Sequence, residues 1–167
     1  DLLPGHRIHV LESASITDVG SLNNYLSVFR ILEGGVDIQG NYEISYIYGT
    51  IEIIPRPITV MTGSAEWIYD GEPHSTTDYA VISPLDFVHG HKLTVSSSSN
   101  ITNAGHTDNI FVKYDVEGLG GKSVLKNYTV SFEHGTLVVL PRPIAVASAN
   151  DEKRYDGTPL TNHTCYV

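Results

Sequence analysis

Three observations predict an all-β chain built from tandem repeats. The stretch Asn41–Val81 is written again as Asn127–Val167, with 16 of 41 positions identical at an offset of 86 residues, which marks an internal repeat rather than one enzyme-like unit. Ten Tyr and frequent Val, Ile and Thr accompany a single Met, and β-branched and aromatic side chains suit a pleated, half-buried surface. No window carries an apolar stripe of 3.6-residue period over three helical turns.

The correspondence reaches back to the first residues. GHRIHV at Gly5–Val10 answers GHKLTV at Gly90–Val95, and SITDVG at Ser15–Gly20 answers NITNAG at Asn100–Gly105, both at an offset of 85. A one-residue difference in length between Asn24–Asn41 and Asn109–Asn127 accounts for the change of offset. On this phasing residues 1–56 are the C-terminal two-thirds of a repeat, 57–142 a complete repeat, and 143–167 the N-terminal third of another. The units meet at Pro55-Arg56-Pro57 and Pro141-Arg142-Pro143. Paired prolines cannot donate ladder hydrogen bonds and favour extended backbone, so they predict a short, stiff hinge between consecutive strands.

Within 57–142, period-2 alternation and turn residues predict strands over 58–61, 67–69, 78–82, 91–97, 109–116, 127–133 and 136–140. In Tyr128–Phe132 bulky residues alternate with hydroxyls, the pattern of a strand with one buried face. Tyr42, Ile44 and Tyr46 repeat it and predict the same strand in the preceding unit. Gly135-Thr136 and Gly49-Thr50 are expected to turn the last two strands into a hairpin. Asp70-Gly71 and Asp156-Gly157 read as turns, the Asp bonding its own backbone and the Gly supplying positive φ. About seven short strands in a unit of about 86 residues predict tandem Ig-like antiparallel β-sandwich repeats.

The string PRPITV…YDGEP, written again as PRPIAV…YDGTP, each preceded by NY and GT at fixed distance, resembles the YDG/MBG-type tandem β-repeats of large bacterial cell-surface proteins. The resemblance spans essentially the whole chain. It implies an extracellular, adhesin-like stalk of repeated β-domains and brings no catalytic residues with it. The middle unit departs from the pattern at Glu72 and His74, where the last copy has Thr158 and Leu160, so a leucine contact is altered there.

A formal charge of −9 argues against nucleic acid or anionic membrane as partner, since both require a basic footprint. No 18-residue apolar run is present. The lack of a signal peptide or anchoring motif suits an internal fragment of a longer chain. Cys165 stands alone, so no disulfide forms within one chain. Asn100, Asn127 and Asn162 lie in glycosylation triplets, which Thr-rich β-sequences also produce without use.

No residue set predicts catalysis, a cofactor or a metal. His89-Gly90-His91 and the pair His6 and His9 lack cysteine or carboxylate ligands at suitable spacing, and His9 is replaced by Thr94 in the other copy. Asp108, Asp115 and Glu117 do not form an Asp-rich calcium loop. Ser, His and Asp are plentiful, yet no nucleophile elbow selects a triad, and Gly118–Gly121 has no following helix to bind phosphate. A Lys113–Asn127 isopeptide bond is disfavoured because the first unit has no lysine at the position of Lys113. Trp67, replaced by Lys153 in the last copy, is expected to face outward and is the one ligand-binding candidate.

Two functional expectations follow. The first is a structural and interaction repeat of a surface stalk or extracellular fibre. In it residues 143–167 of one molecule supply the strands missing from residues 1–56 of another, by head-to-tail β-augmentation. A break in a longer covalent array is the plainer source of the same partial units. The alternative function is a module that binds a host glycan or protein directly, which needs a contiguous exposed patch among Trp67, Tyr46, Tyr48 and Tyr79.

Overall fold

A computed structural model describes all 167 residues, and the chain is all-β. Its strands are β1 (His6–Ser13), β2 (Gly20–Asn24), β3 (Leu26–Glu33), β4 (Val36–Asp37), β5 (Gly49–Ile53), β6 (Arg56–Thr62), β7 (Ala65–Ile68), β8 (Tyr79–Val81), β9 (Lys92–Ser98), β10 (Gly105–Asp108), β11 (Phe111–Glu117), β12 (Tyr128–Glu133), β13 (Thr136–Leu140), β14 (Ala147–Ser148) and β15 (Cys165–Tyr166). Three single 3-10 turns, at Gln39–Asn41, Leu119–Gly121 and Leu125–Asn127, are the helical content. The sheets are small: β1-β3-β4, β2-β5, β10-β13-β7, β11-β9, β12-β6-β8 and β14-β15.

Two compact units can be distinguished. The first comprises residues 1–60, 81–94 and 114–132. Here β1 and β3 run antiparallel from His6 opposite Glu33 to Val10 opposite Phe29, beyond which a bulge shifts the register. β2 pairs with β5 from Gly20 opposite Ile53 to Asn24 opposite Gly49. Ile31, Ile58, Val60, Leu93, Val116 and Tyr128 form its buried core. The second unit comprises 61–80, 95–113 and 133–167. Its β13 lies between β10, antiparallel with Gly105 opposite Val139, and β7, parallel with Leu137 opposite Ala65. Leu137, Val139 and Phe111 are buried there beside Thr62 and Asn109.

Local chemistry explains the elements. Along β12, Tyr128, Val130 and Phe132 are turned inward while Thr129, Ser131 and Glu133 are exposed, following the predicted alternation. β5 stops at Ile53 and β6 begins at Arg56, so the chain leaves one ladder and enters another across Ile54-Pro55. Gly71 and Gly157 adopt φ of 89° and 78°, as the Asp-Gly turns require.

Other expectations are corrected. The strand expected over 109–116 is β11, and it starts at Phe111, two residues later; Asn109, between β10 and β11, directs its amide inward to the Gly63 and Thr76 carbonyls, at 2.9 and 3.2 Å. β12 and β13 are not a hairpin but belong to different sheets. Gly135 between them does not serve a hairpin turn; it presses on backbone, where an added Cβ would stand 2.4 Å from the Thr62 carbonyl oxygen. Residues 42–47 form no strand, although their counterparts 128–133 make β12. β12 has β6 as its sheet neighbour, and isolated extended backbone without a neighbour has nothing to accept its ladder hydrogen bonds.

Candidate assembly site

Positions 85 or 86 residues apart repeat their geometry in detail. The Tyr42 hydroxyl is hydrogen-bonded to His6 Nδ1 at 2.6 Å, and the Tyr128 hydroxyl to His91 Nδ1 at 2.7 Å. The Ile38 N–H donates to the Ile31 carbonyl and the Val124 N–H to the Val116 carbonyl, each at 2.8 Å. Gly20 and Gly105 share a φ of 150°. The pairings of Gly20 with Ile53 and of Gly105 with Val139 have the same register.

Against this likeness, burial differs sharply at three pairs of positions. Ile58 and Val60 on β6 are 1% and 0% exposed, whereas Ile144 and Val146, carried by the same PRPI-x-V string, are 70% and 62% exposed. Leu93 on β9 is 4% exposed and its counterpart Ile8 on β1 is 52% exposed. Residues 141–146 form no strand, and β14 and β15 in the segment that follows are two residues each. Each such side chain left in water forgoes about 2 kcal/mol relative to full burial.

A buried polar key accompanies the core of the second unit. Thr62 Oγ1 donates to the Asn109 carbonyl at 2.7 Å and accepts from the Gly135 N–H at 2.9 Å, while Asn109 Nδ2 reaches two further carbonyls. Asn109 Oδ1 is buried without a partner. The counterparts of Asn109, Gly135 and Thr62 are Asn24, Gly49 and Ser148. All three are exposed, and an added Cβ at Gly49 would meet nothing.

In the first unit a second polar cluster joins residues from distant parts of the sequence. The Val19 N–H donates to Asn127 Oδ1 at 2.8 Å, Asn127 Nδ2 donates to Asp18 Oδ1 at 2.8 Å, and Lys126 Nζ donates to Asp18 Oδ2 at 2.9 Å. The Asn127 amide first, then the hydrogen bond and charge of Lys126, hold the Asp18 carboxyl below its usual range. Asn127, considered above for glycosylation and for an isopeptide bond, therefore has both ends of its amide engaged, and Lys113 is exposed on β11. Sequence reading missed this cluster because its members lie about 108 residues apart; the recurrence of Asn at positions 41 and 127 was the available signal.

Trp67 is half-buried rather than outward-facing. Its ring stacks on His74, centroids 4.8 Å apart and 13° from parallel. His74 Nε2 lies 2.9 Å from Asp70 Oδ1, and the Glu72 backbone N–H followed by His74 lowers the Asp70 pKa. The departure at His74 thus replaces a leucine by a ring that covers Trp67. Tyr46 stacks on Tyr48 and meets Phe29 edge-on, whereas Tyr79 meets Phe111. The aromatics weighed as one patch therefore make three separate contacts. His6 and His91 are bonded to tyrosines. No group of three His, Cys, Asp or Glu is arranged to hold a metal, and no helix is long and apolar enough to cross a membrane. No known family model, curated protein or solved structure was found to be similar to this chain.

Proposed function

We propose that this chain is a structural and interaction repeat of a bacterial surface stalk or extracellular fibre, made of Ig-like β-repeats of about 86 residues. In this reading the repeats are completed head-to-tail by strand complementation. The observation that carries it is the exposure of Ile144 and Val146 beside the complete burial of Ile58 and Val60. The same string is a core strand where its neighbours are present and bare chain where they are not. The polar key supports the same reading, since Asn24, Gly49 and Ser148 keep the chemistry of Asn109, Gly135 and Thr62. The repeated Tyr–His bonds and glycine conformations support equivalence of the units.

Function then resides in spacing and assembly rather than in turnover. The donor segment 142–148 takes the place of β6 beside residues 42–46 of the acceptor, and residues 151–154 take the place of β7 alongside β5, by analogy with β7 and β13. The resemblance to cell-surface repeats supplies the location. Direct recognition of a glycan draws no support from Trp67, whose ring is engaged by His74.

Light scattering of the full chain across a concentration series tests the proposal, with Ile144→Asp/Val146→Asp as the control. Both substituted side chains are exposed, so the monomer should fold unchanged. The full chain is expected to grow in mass with concentration and the variant to remain monomeric. Equal, concentration-independent masses would remove the complementation reading.

A further inference from the structure

The Asp18–Lys126–Asn127 cluster has a half-written second edition. The counterparts of Asp18 and Val19 are Asn103 and Ala104, and those of Lys126 and Asn127 are Gly40 and Asn41. Val19 and Asn127 are half-buried against each other, whereas Ala104 and Asn41 are exposed. Asn103 and Ala104 also edge an open, mainly apolar hollow lined by Tyr69, Pro141, Arg142 and Ile144. The hollow therefore lies where the chain enters its exposed 142–148 segment. In the first unit Arg56, the counterpart of Arg142, shares a hollow with Ile54, Val88, His91, Val124 and Tyr128. Residues Leu3, His6, Ile38 and Tyr42 repeat those last four.

We propose that the Asn103–Ala104 edge is a docking site for the 3-10 turn at Gln39–Asn41 of a second copy of this chain. The inference rests on the complementation reading and adds the joint that sets one unit against the next. The Ala104 N–H donates to Asn41 Oδ1 of the second copy, as Val19 does to Asn127, and Asn41 Nδ2 donates to Asn103 Oδ1, as Asn127 does to Asp18. The occupant is identified by the chain itself. Asn41 sits in the same 3-10 turn as Asn127, and the following tyrosines, Tyr42 and Tyr128, make the same bond to histidine. The ion pair of the first cluster is absent from this second joint, because Gly40 and Asn103 replace Lys126 and Asp18. The joint consequently has no ion pair at these positions, and its Asn103–Asn41 hydrogen bonds are little affected by salt.

That difference provides a gain-of-function test. An added Cβ at Gly40 meets nothing and its φ is not positive, so Gly40→Lys is compatible with the fold. Gly40→Lys with Asn103→Asp in one chain restores the Lys126–Asp18 pair between copies. Sedimentation analysis of full-length chains should show the double variant associating about 3-fold more tightly than the product of the single effects predicts, with the gain fading as salt is raised. Asn41→Ala should weaken association about 10-fold. Chains that form normally but show neither coupling nor sensitivity at Asn41 overturn the docking site and leave complementation standing. Failure of every version to associate overturns both. Association lost in Ile144→Asp/Val146→Asp but coupled between positions 40 and 103 in the parent supports the joint as a distinct contact.

Discussion

Asn109 shows how much one side chain can organise. Fully buried, it spends its two amide hydrogens on the Gly63 and Thr76 carbonyls, and its backbone carbonyl receives the Thr62 hydroxyl. Thr62→Val keeps the shape but removes the donor to Asn109 and the acceptor for Gly135. Chemical denaturation should show it less stable by about 1–3 kcal/mol. Gly135→Ala is worse, since its Cβ would overlap the Thr62 and Gly63 carbonyls, whereas Gly49→Ala at the open counterpart should leave the stability of the isolated chain nearly unchanged. Asp18 gives a pH test. Its folded pKa is lowered by Asn127 and Lys126, so its contribution is present above the unfolded value of about 3.9 and lost as pH falls through the folded value. A carboxyl-resolved NMR titration should place its midpoint below about 3.9 in the parent and nearer that value in Asn127→Ala.

At the scale of elements, the two PRPI strings form a controlled comparison within one molecule. Ile58 in β6 sits among buried residues, while Ile144 stands in water. Ile58→Ala should cost about 2–5 kcal/mol and Ile144→Ala within about 0.5 kcal/mol when unfolding is followed at low protein concentration. At concentrations where chains associate, Ile144→Ala should also become costly. Reading residue by residue found β6, β7, β8, β9, β11, β12 and β13 within a residue or two but not β10, because alternation and turn glycines are local signals. It misjudged residues 42–46 for the same reason. Their alternation states which face is to be buried, but not whether a neighbouring strand is at hand to pair with them.

For the molecule as a whole, the proposed head-to-tail complementation would link stability to concentration. Any partner that binds the folded state raises its apparent stability by mass action. The thermal midpoint of the full chain should therefore climb with protein concentration, and that of Ile144→Asp/Val146→Asp should stay constant in the same calorimetric series.

The amino-acid sequence by itself determined that the chain is β-rich, where its strands recur, and which glycines and aspartates make turns, because side-chain alternation and positive φ depend on near neighbours. It also held the candidate site in latent form, as Asn41 and Asn127, Asn24 and Asn109, Ser148 and Thr62. Tertiary structure alone decided that β12 and β13 enter different sheets, that Trp67 is covered by His74, and that one PRPI string is core while the other is bare. A strand satisfies its backbone N–H and carbonyl groups on another segment of chain, so the local sequence prepares the edge and the arrangement of distant segments determines whether it is used.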